Sequence, residues 1–168
     1  MKKEIIKIRA AKPVDAKGMG ILMKGMLKAK KAPFIGSNTM PKDKIIKWRK
    51  NILSKKSNIF VAEANKKIIG NVSFKALGER LRKTATMGWI VSPDYQNKGI
   101  ATKLLGKAIQ KARQLKLKRL ECHIVPENRV SIKLVEKFGF KKEGTLKKAF
   151  LTDDGKYLDL YCYGKILS

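Results

Sequence analysis

The stretch that decides the fold is Met87-Gly88-Trp89-Ile90-Val91-Ser92-Pro93-Asp94-Tyr95-Gln96-Asn97-Lys98-Gly99-Ile100-Ala101. An apolar strand-forming run ends at Val91, a polar turn follows, and Gly99 opens a long amphipathic segment. Strand, turn and helix in that order leave unpaired N–H groups at a helix N-terminus, where donors and dipole together favour an anion. Gly99 lets a ligand approach the backbone, and the small Ala101 does nearly the same two residues on. The N–H groups of Asn97, Lys98, Gly99, Ile100, Ala101 and Thr102 are therefore placed to wrap a diphosphate. The dinucleotide pattern GxGxxG and the phosphate loop GxxxxGK[ST] are both absent, so these residues alone indicate an anion site and no more.

Downstream of Gly99, Ile100, Leu104, Ala108 and Ala112 form an i+4 row with Ala101, Leu105 and Ile109 beside it, which predicts a helix reaching about Lys116. Arg119 to Val125 reads as a strand. Pro126-Glu127-Asn128 reads as a turn and helix cap, and Ser131 to Phe138 as a helix stopped by Gly139. Lys141 to Leu151 and Tyr157 to Ile166 form a hairpin about Asp153-Asp154-Gly155.

Upstream, Ile5 to Ala10 is a strand, and Pro13 with Asp15 marks a helix start. Met19, Leu22, Met23, Met26 and Leu27 keep helical spacing, although Gly18, Gly20 and Gly25 weaken that helix. The methionines suit either a core face or an adaptable substrate groove. Ala32 to Met40 is a loop and Pro41 to Ser54 a second helix. Ile59 to Ala62 and Ile68 to Phe74 flank a short polar turn as a hairpin. Leu77 to Lys83 is a basic connection to the strand Thr84 to Val91.

This order predicts one α/β domain over residues 1–168, a single mixed sheet with helices on its faces. The unit from Thr84 to Val125 should be a right-handed parallel crossover. Ligands of such sheets bind beyond the carboxyl ends of strands, which is where the turn at Ser92 to Lys98 falls.

Among 168 residues, 40 Lys+Arg stand against 13 Asp+Glu, for a formal net charge of +27. Such a field attracts polyanions: nucleic acid, phosphorylated cofactors or acidic proteins. The lysines are dispersed over many elements, so nucleic acid is expected to bind only non-specifically. No run is long enough to span a membrane, and no signal-peptide block precedes Ile5, so a cytoplasmic protein is expected. Cys122 and Cys162 belong to no CxxC pair, and one His cannot complete an ordinary zinc site with them; reduced thiols and no metal are expected.

Gln96-Asn97-Lys98-Gly99-Ile100-Ala101 resembles the Q/R-x-x-G-x-G/A signature of the GNAT superfamily of acetyl-coenzyme A-dependent N-acetyltransferases. Asn128-Arg129-Val130-Ser131, Leu134 and Glu136-Lys137-Phe138-Gly139-Phe140 resemble its second block. Glu143 to Leu146 and Asp154 to Asp159 are similar to the tail of the branch that includes ribosomal-protein N-terminal acetyltransferases. The resemblance implies a mostly antiparallel sheet whose central parallel strand pair, ending at Val91 and Val125, splays apart to admit acetyl-coenzyme A (acetyl-CoA). It implies that Trp89, Ile90 and Val91 align the pantetheine arm, with a backbone N–H near Val91 polarising the thioester carbonyl. Gln96 to Thr102 would hold the pyrophosphate and Asn128 the pantetheine. Trp89 also suits the core, and Asn128 a helix cap.

The implied reaction is direct attack of an amine on the thioester, which requires the amine to lose a proton. Two positions depart from the family's pattern: Thr86 stands where many members carry a Glu, and Val135 where many carry a Tyr. The remaining candidates are His123 and Glu121 as bases on the strand bordering the gap, Glu63 at the hairpin, and Ser131 as the hydroxyl that returns a proton to the thiolate. Asp159 and Tyr161 on the last strand are candidate substrate contacts. The expected partners are acetyl-CoA and an amine acceptor: a protein N-terminus or lysine, with an acidic protein favoured by charge. A small-molecule amine such as an antibiotic or metabolite is the alternative, as is a nucleic-acid-binding or non-catalytic, cofactor-binding protein on a vestigial transferase fold. A homodimer is the assembly considered.

Overall fold

The computed structural model describes residues 4–28, 43–53, 58–78, 80, 83–152 and 154–167. The elements are β1 (Ile6–Ala10), α1 (Asp15–Lys28), α2 (Lys44–Leu53), β2 (Asn58–Ala64), β3 (Lys67–Ala76) and β4 (Thr84–Val91), then α3 (Ile100–Gln114), β5 (Arg119–Ile124), α4 (Arg129–Lys137), β6 (Lys141–Leu151) and β7 (Tyr157–Ile166). A short 3₁₀ turn, Pro93–Tyr95, lies between β4 and α3. The predicted order of elements is the observed one. The loop expected at Ala32 to Met40 lies outside the described residues.

Seven strands form one sheet in the order β1-β2-β3-β4-β5-β7-β6. Every pair is antiparallel except β4 and β5, which run parallel as the α3 crossover requires. The fold is thus the expected mixed sheet with a central parallel pair.

Helices cover both faces. On one face the i+4 row of α3 is buried at Ile100, Leu104, Ala108 and Ala112 and joins Val72, Phe74, Leu120 and the Ile132 and Val135 of α4 in the main core. On the other face Met19 of α1 packs with Ile59 and Val61, and Trp48 and Ile52 of α2 close over them. The register of β3 against β2 slips next to Glu63, where Ile68 pairs and Ile69 is the additional residue. The additional residue breaks the two-residue alternation, so that residues two apart across the bulge turn to opposite faces. It lets Ile68 reach α1 while Gly70 faces Leu104 of α3. A Cβ on Gly18 would stand 2.8 Å from Ile68 Cγ1. The glycine that weakens α1 as an isolated helix is what lets α1 lie close on β3.

Two helices stop in the same way. Phe140 N–H bonds Val135 C=O across Gly139 at φ +76°, and Leu117 N–H bonds Ala112 C=O across Lys116 at φ +53°. Both have the 6→1 bond and left-handed residue of a Schellman ending, with buried Phe140 and Leu117 as the apolar residues beyond. In the second a lysine takes the left-handed position, and α3 ends at Gln114, two residues before the expected Lys116.

Candidate active site

The parallel pairing of β4 with β5 is short: Thr84 with Arg119, Ala85 with Leu120, Thr86 with Glu121. Beyond that pair both strands continue, β4 to Val91 and β5 to Ile124, without pairing to each other. The sheet opens into a wedge at its centre. Backbone groups alternate sides along a strand. Leu77 N–H bonds Thr84 C=O and Ser92 N–H bonds Ile69 C=O, so even-numbered residues of β4 turn their backbone groups to β3. The odd-numbered Trp89 and Val91 therefore turn theirs into the wedge. Val91 C=O accepts from Gln96 Nε2 at 3.4 Å, which leaves its N–H facing the opening.

The wedge leads to the turn before α3. Asn97 and Gly99 have φ of +59° and +72°, and Gly99 is the α3 N-cap. No atom would lie within 4 Å of a Gly99 Cβ, so the glycine is required here by its backbone angle and not by neighbouring protein. The first helical bond runs from Lys103 N–H to Gly99 C=O. Among the described residues, no group accepts from the N–H groups of Asn97 to Thr102. Ile100 is buried, so only its amide is available outward. Lys98 folds back, with Nζ 3.1 Å from Asp94 C=O and over the Tyr95 ring. The half-buried Ala101 and Thr102 complete the first turn. Six consecutive donors at a helix start can hold a phosphate or diphosphate.

A cavity of about 440 Å³ occupies the wedge. Its floor is Asn71 and Ser73 of β3 with Gly88, Trp89 and Ile90 of β4; His123, Ile124 and Val125 stand across the gap. Met19 and Met23 of α1 and Lys44 and Trp48 of α2 lie on one side, and Asn128, Ser131, Phe150 and Leu160 on the other. Met19 and Met23 are thus both buried and cavity-lining, and half-buried Trp89 packs on the core while lining the cavity.

Of the candidate catalytic residues, His123 and Ser131 reach the cavity and Glu121 does not. Glu121 accepts from Thr86 Oγ1 at 3.4 Å and from Arg119 Nε at 3.5 Å, and Arg119 also forms a fork with Glu143. Glu63 is likewise held, 2.7 Å from Arg9, which pairs with Asp15 as well. Asn128 caps α4, its Oδ1 accepting from Ser131 N–H at 3.1 Å, so Nδ2 is the end left to donate. Asp159 accepts from Lys148 N–H and Lys147, which hold its carboxyl below the usual range. Tyr161 lies beneath Lys142. Neither Asp159 nor Tyr161 lines the cavity, because strand alternation presents Leu160 to it instead. The described residues of the Leu77 to Lys83 connection, Leu77, Gly78, Arg80 and Lys83, do not line the cavity.

Asn71, Ser73, Lys44, Trp48 and Phe150 were not singled out from the sequence as site residues. Asn71 had a readable signal: it is one polar residue within the apolar run Ile68 to Phe74. It is 8% exposed, and its Nδ2 has no hydrogen-bond partner, a condition that costs about 1–3 kcal/mol. No Asp or Glu lines the cavity among the described residues, and those residues hold no group of three metal-ligating side chains.

The sequence profile of the Acetyltransferase (GNAT) family matches residues 24–140. The chain belongs to the GNAT acetyltransferase family. GNAT relatives include the uncharacterized N-acetyltransferase YnaD of Bacillus subtilis, 32% identical over 98 residues, covering 57% of this chain and 55% of the relative. The spermidine N(1)-acetyltransferase of Vibrio cholerae is 30% identical over 115 residues, covering 67% and 65%. The chain spans about half the length of the first curated relatives it matches, 55%, 50% and 55%. A crystal structure of ribosomal-protein-alanine N-acetyltransferase from Brucella melitensis superposes with a TM-score of 0.85 at 27% identity, covering 96% of this chain and 99% of that one.

Proposed function

We propose that this GNAT chain transfers the acetyl group of acetyl-CoA to a primary amine, a protein N-terminus or lysine. The observation that carries this reading is the wedge between β4 and β5, which has a free strand edge on one side and ends at six free N–H groups. An extended pantetheine arm adds to the Trp89–Val91 edge as a further strand would. The donors from Asn97 to Thr102 take the pyrophosphate, with Gln96 fixing the turn to β4. Asn128 Nδ2 donates to the arm from across the gap. The thioester supplies an activated acyl carbon. Val91 N–H donates to its carbonyl oxygen as charge develops there. His123, the imidazole among the described cavity-lining side chains, takes the proton of the attacking amine, directly or through water. The Ser131 hydroxyl returns a proton to the sulfur as the C–S bond breaks.

The acceptor side favours an amine on a neutral or acidic molecule. Among the described residues, the cavity lining has Lys44 and no carboxylate. A polycation such as the substrate of the Vibrio relative would find no counter-charge there. A small-molecule amine acceptor remains the second reading, supported by the mixed acceptors in the relatives' names. The two free cysteines suit a reducing compartment such as the cytoplasm, and no described helix is long and apolar enough to cross a membrane.

Calorimetry with acetyl-CoA tests the donor side. The wild-type chain should bind it, and Gly99→Glu, which sets a carboxylate among the six donors and strains a left-handed position, should weaken binding by about tenfold or more. Thiol release against a panel of amines tests turnover. No binding of acetyl-CoA by the wild type, together with an inert Gly99→Glu, would sink the proposal.

A further inference from the structure

The transfer chemistry uses both sides of the wedge but leaves one buried polar group of the floor unassigned. Asn71 pairs with Val61 on β2 and with Ile90 on β4. Directly paired residues share a face, so its side chain lies on the cavity face beneath Met19 and Trp48, one strand away from Ile90. Adjacent strands are about 4.8 Å apart, which is the separation between an amine held at the β4 edge and a group that recognises the atoms next to it. Asn71 is 8% exposed and lines the cavity, and its buried Nδ2 has no hydrogen-bond partner. Its terminal torsion is soft, so either end of the amide can turn to the opening. A leucine would fill the same site without the desolvation cost. The charges nearby point the same way: Lys44, whose Nζ lies 5.5 Å from the Trp48 ring, is the cavity's charged side chain.

Building on the transferase reading, we propose that Asn71 is a specificity-determining residue. Its amide N–H donates to the carbonyl oxygen one carbon beyond the carbon that bears the acceptor amine. That selects amines of the α-amino carbonyl type, a peptide N-terminus or a free amino acid, over polyamines and lysine ε-amines, which carry no such oxygen. Within the proposed acceptors, this favours the protein N-terminus over lysine.

The test is a steady-state comparison of wild type, Asn71→Leu and Asn71→Asp. The acceptors are an alanine-initiated peptide, free L-alanine, Nα-acetyl-lysine amide and spermidine, with calorimetric acetyl-CoA affinity measured alongside. Wild type should prefer the first two, and their ratio separates peptide from free amino acid. Asn71→Leu should lower kcat/KM for the α-amines by at least about tenfold, mainly through KM, with acetyl-CoA affinity retained and melting temperature unchanged or raised. Asn71→Asp should shift preference toward spermidine, and it keeps the test open if the leucine variant does not fold. Preference of the wild type for the ε-amine or spermidine overturns the assignment, as do an equal loss on all acceptors and no turnover with any of them. These results leave the transferase reading standing wherever acetyl-CoA still binds; loss of that binding in the wild type is the separate failure of the transferase reading.

Discussion

Thr86 and Glu121 are the last residues in register between β4 and β5, and the Thr86 hydroxyl donates to the Glu121 carboxylate at 3.4 Å. The wedge starts at this vertex. The same bond, with Arg119 beside it, holds Glu121 at the closed end of the gap while His123, two residues on, stands in the open part.

The two candidate bases should therefore separate under mutation. Glu121→Gln is expected to change kcat by less than about fivefold, the scale of a part-exposed ion pair. His123→Ala is expected to lower kcat/KM by about 10²-fold and to remove the rising limb of its pH profile. Steady-state rates across about pH 5.5 to 9 check both. A Glu121→Gln variant as damaged as His123→Ala would place the base at the vertex instead.

The close approach of α1 to β3 at Gly18 makes a second prediction. Gly18→Ala gains about 1 kcal/mol of helix propensity but forces a Cβ against Ile68, which costs about 1–3 kcal/mol. The net effect should be destabilisation by about 1 kcal/mol. Ile68→Ala removes the atom in the way, so the two substitutions should be non-additive, the double variant being more stable than the sum predicts. Denaturant unfolding of the four proteins measures the coupling.

Asp15 links stability to acid. It accepts from the two terminal Arg9 guanidinium nitrogens and from Lys12 N–H, and the Arg9 bond above all holds its carboxyl below the usual range. A depressed folded-state pKa contributes stability that is complete above the unfolded value, about 3.9, and is lost as pH falls through the folded value. Asp15→Asn should cost about 2 kcal/mol at neutral pH, between exposed and buried pairs. The difference from wild type should shrink below about pH 4. Melting curves from pH 2.5 to 7 show whether the two converge.

Burial pushes the Cys122 thiol up to about 12, while Cys162 is partly accessible. An aromatic disulfide reagent at pH 8 should label Cys162 in the folded chain and reach Cys122 only on unfolding, because the thiolate is the reactive form. Cys162→Ala should remove the early phase. Rapid labelling of the Cys162→Ala variant under native conditions would contradict the burial of Cys122.

Most of the architecture is local in origin and so was legible. Period-two and period-3.6 patterns placed every strand and helix, and Gly139 announced the end of α4. Lys116 in the same left-handed role announced nothing, because a lysine carries no signal for that backbone angle. The donor turn was readable because its function is carried by consecutive backbone groups. The cavity was less so: Phe150, Leu160, Trp48 and Asn71 come from four separate elements, and which alternate face of β7 meets the wedge is fixed by long-range register. Glu121 illustrates the same limit. Its position beside the gap follows from sequence, but its capture by Thr86 and Arg119 needs the strands brought together.

The wedge also has a kinetic signature on the backbone itself. Val91 and Trp89 belong to a central strand, where amides are ordinarily the slowest to exchange with solvent deuterium. Their N–H groups face an opening instead of a neighbouring strand, so in the free protein they should exchange far sooner than Ile90 between them. Filling the wedge with acetyl-CoA should bring all three to similar protection. The alternation of fast and slow amides along three consecutive residues, and its disappearance, would report occupancy without any measurement of turnover.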